Sequence, residues 1–303
     1  MSQILQQLVN GISLGAIYAL IALGYTMIYG VLRFINFAHG DVFMVGAFMG
    51  YYASTWVSKI APIGTVPAAI LVFLISMTIC AVLGATIEFL AYRPLRSRPK
   101  LTVLITAIGV SLFLEYLGQL PAVFGPDPRG FPAIISSKPI IQSTLLTLNV
   151  VQVVVIGVSL MLMFVLRIVV MRTKIGTAMR AVSFNQQAAS LMGINISMII
   201  TFTFAVGSAL AAAGGILYAS QYPSIDPLMG IMPGLKAFVA AVLGGIGNIP
   251  GAALGGFIIG IVETFVAGTF LSTYRDAIVF AILILILIFK PSGLLGQKEI
   301  EKV

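Results

Sequence analysis

The sequence predicts an all-α polytopic membrane protein of about nine crossings (eight to ten, at about 20 residues each), with broken helices and an internal repeat. Two observations carry this. Of the residues, 59% are hydrophobic and 9% charged, whereas soluble domains carry roughly 25% charge. The apolar runs suit helices, being too long for the roughly ten-residue alternating strands of an outer-membrane barrel. No stretch is polar enough for a soluble domain, so residues 1–303 read as one membrane domain.

The segments follow in order. Met1-Ser-Gln-Ile-Leu-Gln-Gln has no basic n-region and no small-residue cleavage pattern, so the first run, Leu8 to Leu32, reads as a retained span. Gly11 and Gly15 in it stand four apart, a spacing that lets helices approach closely. Arg33 to Asp41 is a polar cluster, and Val42 to Val57 a short apolar segment ending in Tyr51, Tyr52 and Trp56, an interfacial aromatic belt. Spans are predicted at Val66–Tyr92, Leu101–Leu120, Val150–Met171 and Ile196–Ala219, with a proline-rich connection from Pro121 to Ser143. Between Met232 and Phe270, Gly247, Gly251 and Gly255 repeat at four, as do Gly256 and Gly260, and Pro250 interrupts any single helix. The last span is Ala277–Phe289.

A net charge of +8 invites a nucleic-acid partner, but the basic residues lie in short loops, where they set topology instead. Arg93, Arg96, Arg98 and Lys100 share one loop, Arg172, Lys174 and Arg180 another, and Lys290, Lys298 and Lys302 mark the tail. These three regions are expected in the cytoplasm. The N-terminus is then outside and the C-terminus inside. Cys80 is alone and has no disulfide partner.

Enzyme chemistry is not predicted. The chain has no phosphate-binding glycine loop, no Gly-x-Ser-x-Gly, and a single histidine without zinc-ligand neighbours, so no catalytic or metal residue is assigned. Ionisable residues inside spans are functional candidates by default: Glu88, Glu115, Lys236 and Glu263. Glu88 can pair with the adjacent basic cluster, and Lys236 with Glu263 across the glycine-rich break. Asn36, His39 and Asp41 are read as caps at broken backbone ahead of substrate contacts. Gly247, Asn248, Pro250 and Gly251 form a break expected at membrane depth, lining a pathway or a subunit interface. Residues 24–50 share this glycine–asparagine–small-residue pattern with 244–260, which suggests the internal repeat.

The polar interruption 172–195 is patterned. Ile175, Ala178, Met179 and Val182 make a helical stripe, and Ser183 with Gln186 has capping-box spacing. A second helix would carry Ala188, Leu191 and Met192 on one side, stopped by Gly193. Such a helix lies on lipid headgroups, in a partner's groove, or on the protein's own spans.

Ile35-Asn-Phe-Ala-His-Gly-Asp41, Tyr92-Arg-Pro-Leu-Arg96, Leu191-Met-Gly-Ile-Asn195 and Val242-Leu-Gly-Gly-Ile-Gly-Asn-Ile-Pro-Gly251 together resemble the permease subunits of bacterial ABC importers for branched-chain amino acids, closest to the H-type of the two paired permeases. The resemblance implies a cytoplasmic (inner) membrane location and a heterodimer with a second homologous permease. It also implies two cytoplasmic ATPase subunits and an extracytoplasmic substrate-binding protein. No cofactor would be bound by this chain, ATP and Mg²⁺ belonging to the ATPases. It makes 172–195 a coupling element, with Ser183, Gln187, Ala188, Ala189, Leu191, Met192 and Gly193 facing the ATPase. Where many ABC permeases carry Glu-Ala-Ala-x-x-x-Gly, this chain has Gln187-Ala-Ala-Ser-Leu-Met-Gly193 and no later Ile-x-Leu-Pro. Urea or short-chain amide permeases, and an ion-driven secondary transporter, are the alternatives. The last would want several buried carboxylates on one path, and here they are scattered.

Overall fold

A computed structural model describes residues 2–296 apart from 61, 63, 64, 97, 144 and 145. Lys298 and Lys302 of the basic tail lie outside the described residues. The helices are α1 (Ser2–Leu32), α2 (His39–Val57), α3 (Val66–Ile87), α4 (Lys100–Gln119), α5 (Val150–Arg172), α6 (Lys174–Phe184), α7 (Gln186–Leu191), α8 (Ile196–Gln221), α9 (Ile231–Gly244), α10 (Ile249–Ala267) and α11 (Arg275–Phe289). A π turn (Glu88–Tyr92) and a 3-10 turn (Arg93–Leu95) prolong α3. Two short ribbons, β1 (Arg129–Gly130) with β4 (Ser224–Ile225) and β2 (Pro139–Gln142) with β3 (Thr147–Asn149), are antiparallel. Among the described residues, seven helical segments are long and apolar enough to cross a membrane.

α1 is the axis. It is apolar on every side, which is the pattern of a helix enclosed by others, and it is buried almost throughout from Gly11 to Ile28. α10 lies against it backbone to backbone. A Cβ on Gly260 would stand 2.3 Å from the Gly15 Cα, and one on Gly256 2.4 Å from the Ala19 nitrogen. The Gly11/Gly15 and Gly256/Gly260 spacings are thus two halves of one contact.

α1 ends at Arg33, whose left-handed φ of 59° turns the chain back into the bundle. His39, the first residue of α2, meets Gly24, which precedes Leu32 by eight residues. That is about 12 Å of helix, so α2 begins inside the bundle. α9 begins there too, since Gly230 and Gly234 sit on the Gly40 backbone. These are the broken helices.

The break between α9 and α10 corrects the expected depth. Its turn carries positive φ at Gly245 (104°) and Gly247 (92°). Leu294 N–H donates to the Leu243 carbonyl at 2.8 Å and Leu295 N–H to that of Gly244 at 3.0 Å, while a Cβ on Gly30, in the last turn of α1, would stand 3.9 Å from the Gly247 Cα. The turn therefore lies at the end of the bundle where α1 and α11 finish, not midway. Gly247 serves the turn rather than a packing face, because no atom stands within 4 Å of its would-be Cβ. Asn248 caps α10, accepting from Gly251 N–H at 3.1 Å, and Pro250 occupies its first turn. Gly251 is the packing residue, its would-be Cβ 2.3 Å from the Gly244 carbonyl oxygen.

Candidate functional site

The 172–195 loop folds as a braced pair of short helices. Thr173 caps α6 by accepting from Gly176 N–H at 3.0 Å. Only glycine fits at 176, since a Cβ would lie 2.2 Å from the Val169 carbonyl oxygen, so α6 turns sharply off α5. The Arg180 guanidinium donates to the Val170 carbonyl at 2.7 Å, satisfying one of the open carbonyls that end α5. Met179 and Val182 are buried, whereas Ile175 is exposed, so the seated stripe is narrower than its sequence spacing suggested.

Ser183 does not start the second helix. It lies in the last turn of α6 and donates to the Gly30 carbonyl, while Gln186 Nε2 donates to that of Val31 at 3.2 Å. The free carbonyls at the end of α1 take both side chains, and Asn185 caps α7 instead, accepting from Ala188 N–H at 3.0 Å. At the far end Gly193 (φ 80°) forms a Schellman stop: its N–H donates to Ser190 and Ile194 N–H to Ala189.

The exposed face follows from this bracing. Phe184 is 92% exposed, Leu191 89% and Met192 82%, with Gln187 and Ala188 also exposed. Ala189 is 3% exposed and belongs to the core, so it does not face outward with Gln187 and Ala188 as the resemblance implied. On a six-residue helix one side must pack, and position 189 is the one turned inward. Phe184 escaped the sequence reading because it ends α6 and falls off the Ile175–Val182 stripe.

A second cluster lies inside the bundle. Lys236 Nζ is 2.5 Å from Glu263 Oε1 and 2.7 Å from Asp276 Oδ1, and Tyr18 donates to Glu263 Oε2 at 2.8 Å. Lys236 and Glu263 are both buried. The pairing expected across the break is present, and it joins α1, α9, α10 and α11. Glu88, also buried, pairs with Arg96 and accepts from Thr201.

Where α2 and α9 begin, a cavity of about 90 Å³ is lined by Tyr25, Asp41, Ser111, Glu115, Gly230 and Gly234, among others. Ser111 donates to Asp41. A space of this size holds waters and no amino acid. The capping role expected for Asn36, His39 and Asp41 is not found: the residue at the cap of α2 is Ala38, without a side-chain cap bond. The chain instead makes a backbone turn (His39 N–H to Asn36 carbonyl, 3.2 Å), and Asn36 Oδ1 accepts from Tyr92 at 2.6 Å. His39 is buried against the Tyr25 ring at 4.7 Å, both its nitrogens without a hydrogen bond among the described residues.

At the opposite end from the loop, a polar cavity of about 460 Å³ opens between α1, α5, α8 and α10. Asn10, Gln152, Gln221 and Thr264 line it, and Gln152 Nε2 donates to Asn10 Oδ1 at 2.8 Å. Neutral amides near span ends gave no signal in the sequence.

The family of branched-chain amino acid transport system permease components matches residues 7–287. The chain is 41% identical over 303 residues to the high-affinity branched-chain amino acid transport system permease protein BraD of Pseudomonas aeruginosa, covering 99% of this chain and 98% of that one. It is 39% identical over 305 residues to the LivH permease of the same description from Escherichia coli K12, covering 99% and 97%. Similarity to the probable LivH of Methanocaldococcus jannaschii is 28% over 294 residues, covering 91% and 88%.

Proposed function

The chain belongs to the family of permease components of branched-chain amino acid transport systems, and on that basis we propose that it is the transmembrane subunit of an ATP-driven importer of branched-chain or related hydrophobic amino acids. It is a multi-pass membrane protein and a transport component, not an enzyme. In this reading it pairs with a second homologous permease, two cytoplasmic ATPases that bind ATP and Mg²⁺, and an extracytoplasmic substrate-binding protein. The bilayer is the bacterial inner membrane, with the N-terminus outside and the C-terminus in the cytoplasm.

The observation that carries the coupling assignment is the apolar triad Phe184, Leu191 and Met192, exposed on helices braced to α1 and α5. Large apolar side chains held rigidly outside the spans suit a partner's groove. An ion-driven mechanism fits less well, because Glu263 and Asp276 are both tied to Lys236 in one cluster rather than standing along a path.

Two experiments test this. Leu191→Asp and Ala188→Glu put a charge into the docking face, and burying an unpaired charge there costs about 3–5 kcal/mol, on the order of a hundredfold or more in affinity. Membrane abundance should be unchanged, while ATPase co-purification and uptake fall together. Normal co-purification with normal uptake would show that α7 has no motor partner. For orientation, Phe184→Cys should react with a membrane-impermeant maleimide only from the cytoplasm and Ser137→Cys only from outside. Cys80 is buried and gives little background. The reverse labelling would invert the topology and remove the coupling assignment.

A further inference from the structure

Beside the π turn that ends α3, a cavity of about 410 Å³ opens against the first turns of α8, lined by Arg93, Asn195, Ser197, Met198, Thr201, Phe202 and Ala205. Its lining changes character with depth. Arg93, Asn195 and Ser197 stand at the end of the bundle that carries the basic loops. Phe202 and Ala205 lie further along α8 and are apolar. We infer that this cavity holds one anionic phospholipid, its phosphate against Arg93 and Ser197 and an acyl chain along Met198, Phe202 and Ala205.

The charge argument comes first. Among the described residues no carboxylate lines the cavity or forms an ion pair with Arg93. Glu88, five residues before it, is taken by Arg96 and Thr201. Arg93 is instead held over the Phe89 ring at 5.2 Å, which orients the guanidinium without neutralising it. Arg96 reaches across to Ser197 Oγ at 3.2 Å, and its buried Nε has no hydrogen-bond partner among the described residues. Arg96 lies outside the lining and is neutralised by Glu88, so the cation left on this wall is Arg93, without a carboxylate partner among the described residues and the complement of a phosphate oxygen.

The rim identifies the source of that phosphate. Phe89 and Leu90 on the adjoining π turn and Met198 in the lining are all more than half exposed, as side chains facing acyl chains would be. A soluble phosphate ester would meet the polar wall and leave the apolar floor uncovered. A lipid covers both, and basic pockets at this depth attract anionic headgroups.

The test uses the full-length chain extracted in a neutral detergent, with lipid adducts counted by native mass spectrometry. Phosphatidylglycerol should be retained as one adduct by the wild-type chain and by Arg98→Gln, whose arginine lies off the cavity. Arg93→Gln should lower its occupancy about fivefold, the effect of one arginine near a membrane surface. Ala205→Leu fills the apolar floor without touching charge and should lower it as well. Equal occupancy in wild type and Arg93→Gln overturns the inference, as does phosphatidylcholine binding as tightly as phosphatidylglycerol. Displacement of the adduct by millimolar glycerol 3-phosphate would show a phosphate-ester site with no lipid component, and would overturn it equally.

Discussion

Glu263→Ala should deplete the folded chain from the membrane. The substitution leaves the Lys236 ammonium buried with only the partly exposed Asp276 opposite it, and it orphans the Tyr18 hydroxyl. Breaking one side of a buried pair costs about 3–5 kcal/mol, against a total stability on the order of 5–15 kcal/mol. Glu263→Ala with Asp276→Asn should be worse, since Lys236 then has no anion. The double variant Lys236→Met with Glu263→Leu should be milder than either, because removing both charges also removes the desolvation cost. Membrane abundance and the thermal midpoint in detergent measure this order. A double variant less stable than Glu263→Ala alone would mean that the cluster contributes through something other than charge pairing.

The second large effect is expected at Gly255. A Cβ there would lie 2.0 Å from the Ala240 carbonyl oxygen, which is backbone and cannot rotate away. Gly255→Ala must therefore push α9 off α10, and overpacking by a single methyl in a tight core costs about 1–3 kcal/mol or more. Gly109→Ala and Gly157→Ala are the controls. Nothing stands within 4 Å of either position, and in a helix alanine is favoured over glycine by about 0.5–1 kcal/mol. The expected pattern is a lowered midpoint for Gly255→Ala and an unchanged or raised one for the controls. A Gly255→Ala chain as stable as wild type would show that the hairpin has slack that the backbone approach does not suggest.

Much of this arrangement follows from hydrocarbon as a solvent. A charge there must find its opposite, so Lys236 and Glu263 can be matched from their positions on either side of the break, and Glu88 with the basic cluster beside it. The same logic should have found Asp276, but it precedes the run that begins at Ala277 and was counted outside the span. Tyr18 carries no charge and was not counted at all. Depth was the harder quantity. Glycine and proline mark a break, yet nothing in their spacing says whether the break at Gly247 to Pro250 lies midway or at an end. Caps failed for another reason: Ser183 and Asn185 compete for the same role, and the winner depends on Gly30 and Val31, more than 150 residues away.

The brace between the loop and α1 has a mechanical consequence. α1 has 31 residues, about 46 Å of continuous helix. Ser183 and Gln186 grip the carbonyls at one end, and Asn10 and Gln7 form part of the wall of the amide-lined cavity at the other. α1 is thus a push-rod through the centre of the bundle. A displacement of α6 and α7 is therefore expected to be felt at that cavity, and Ser183→Ala with Gln186→Ala should weaken the link between the two surfaces.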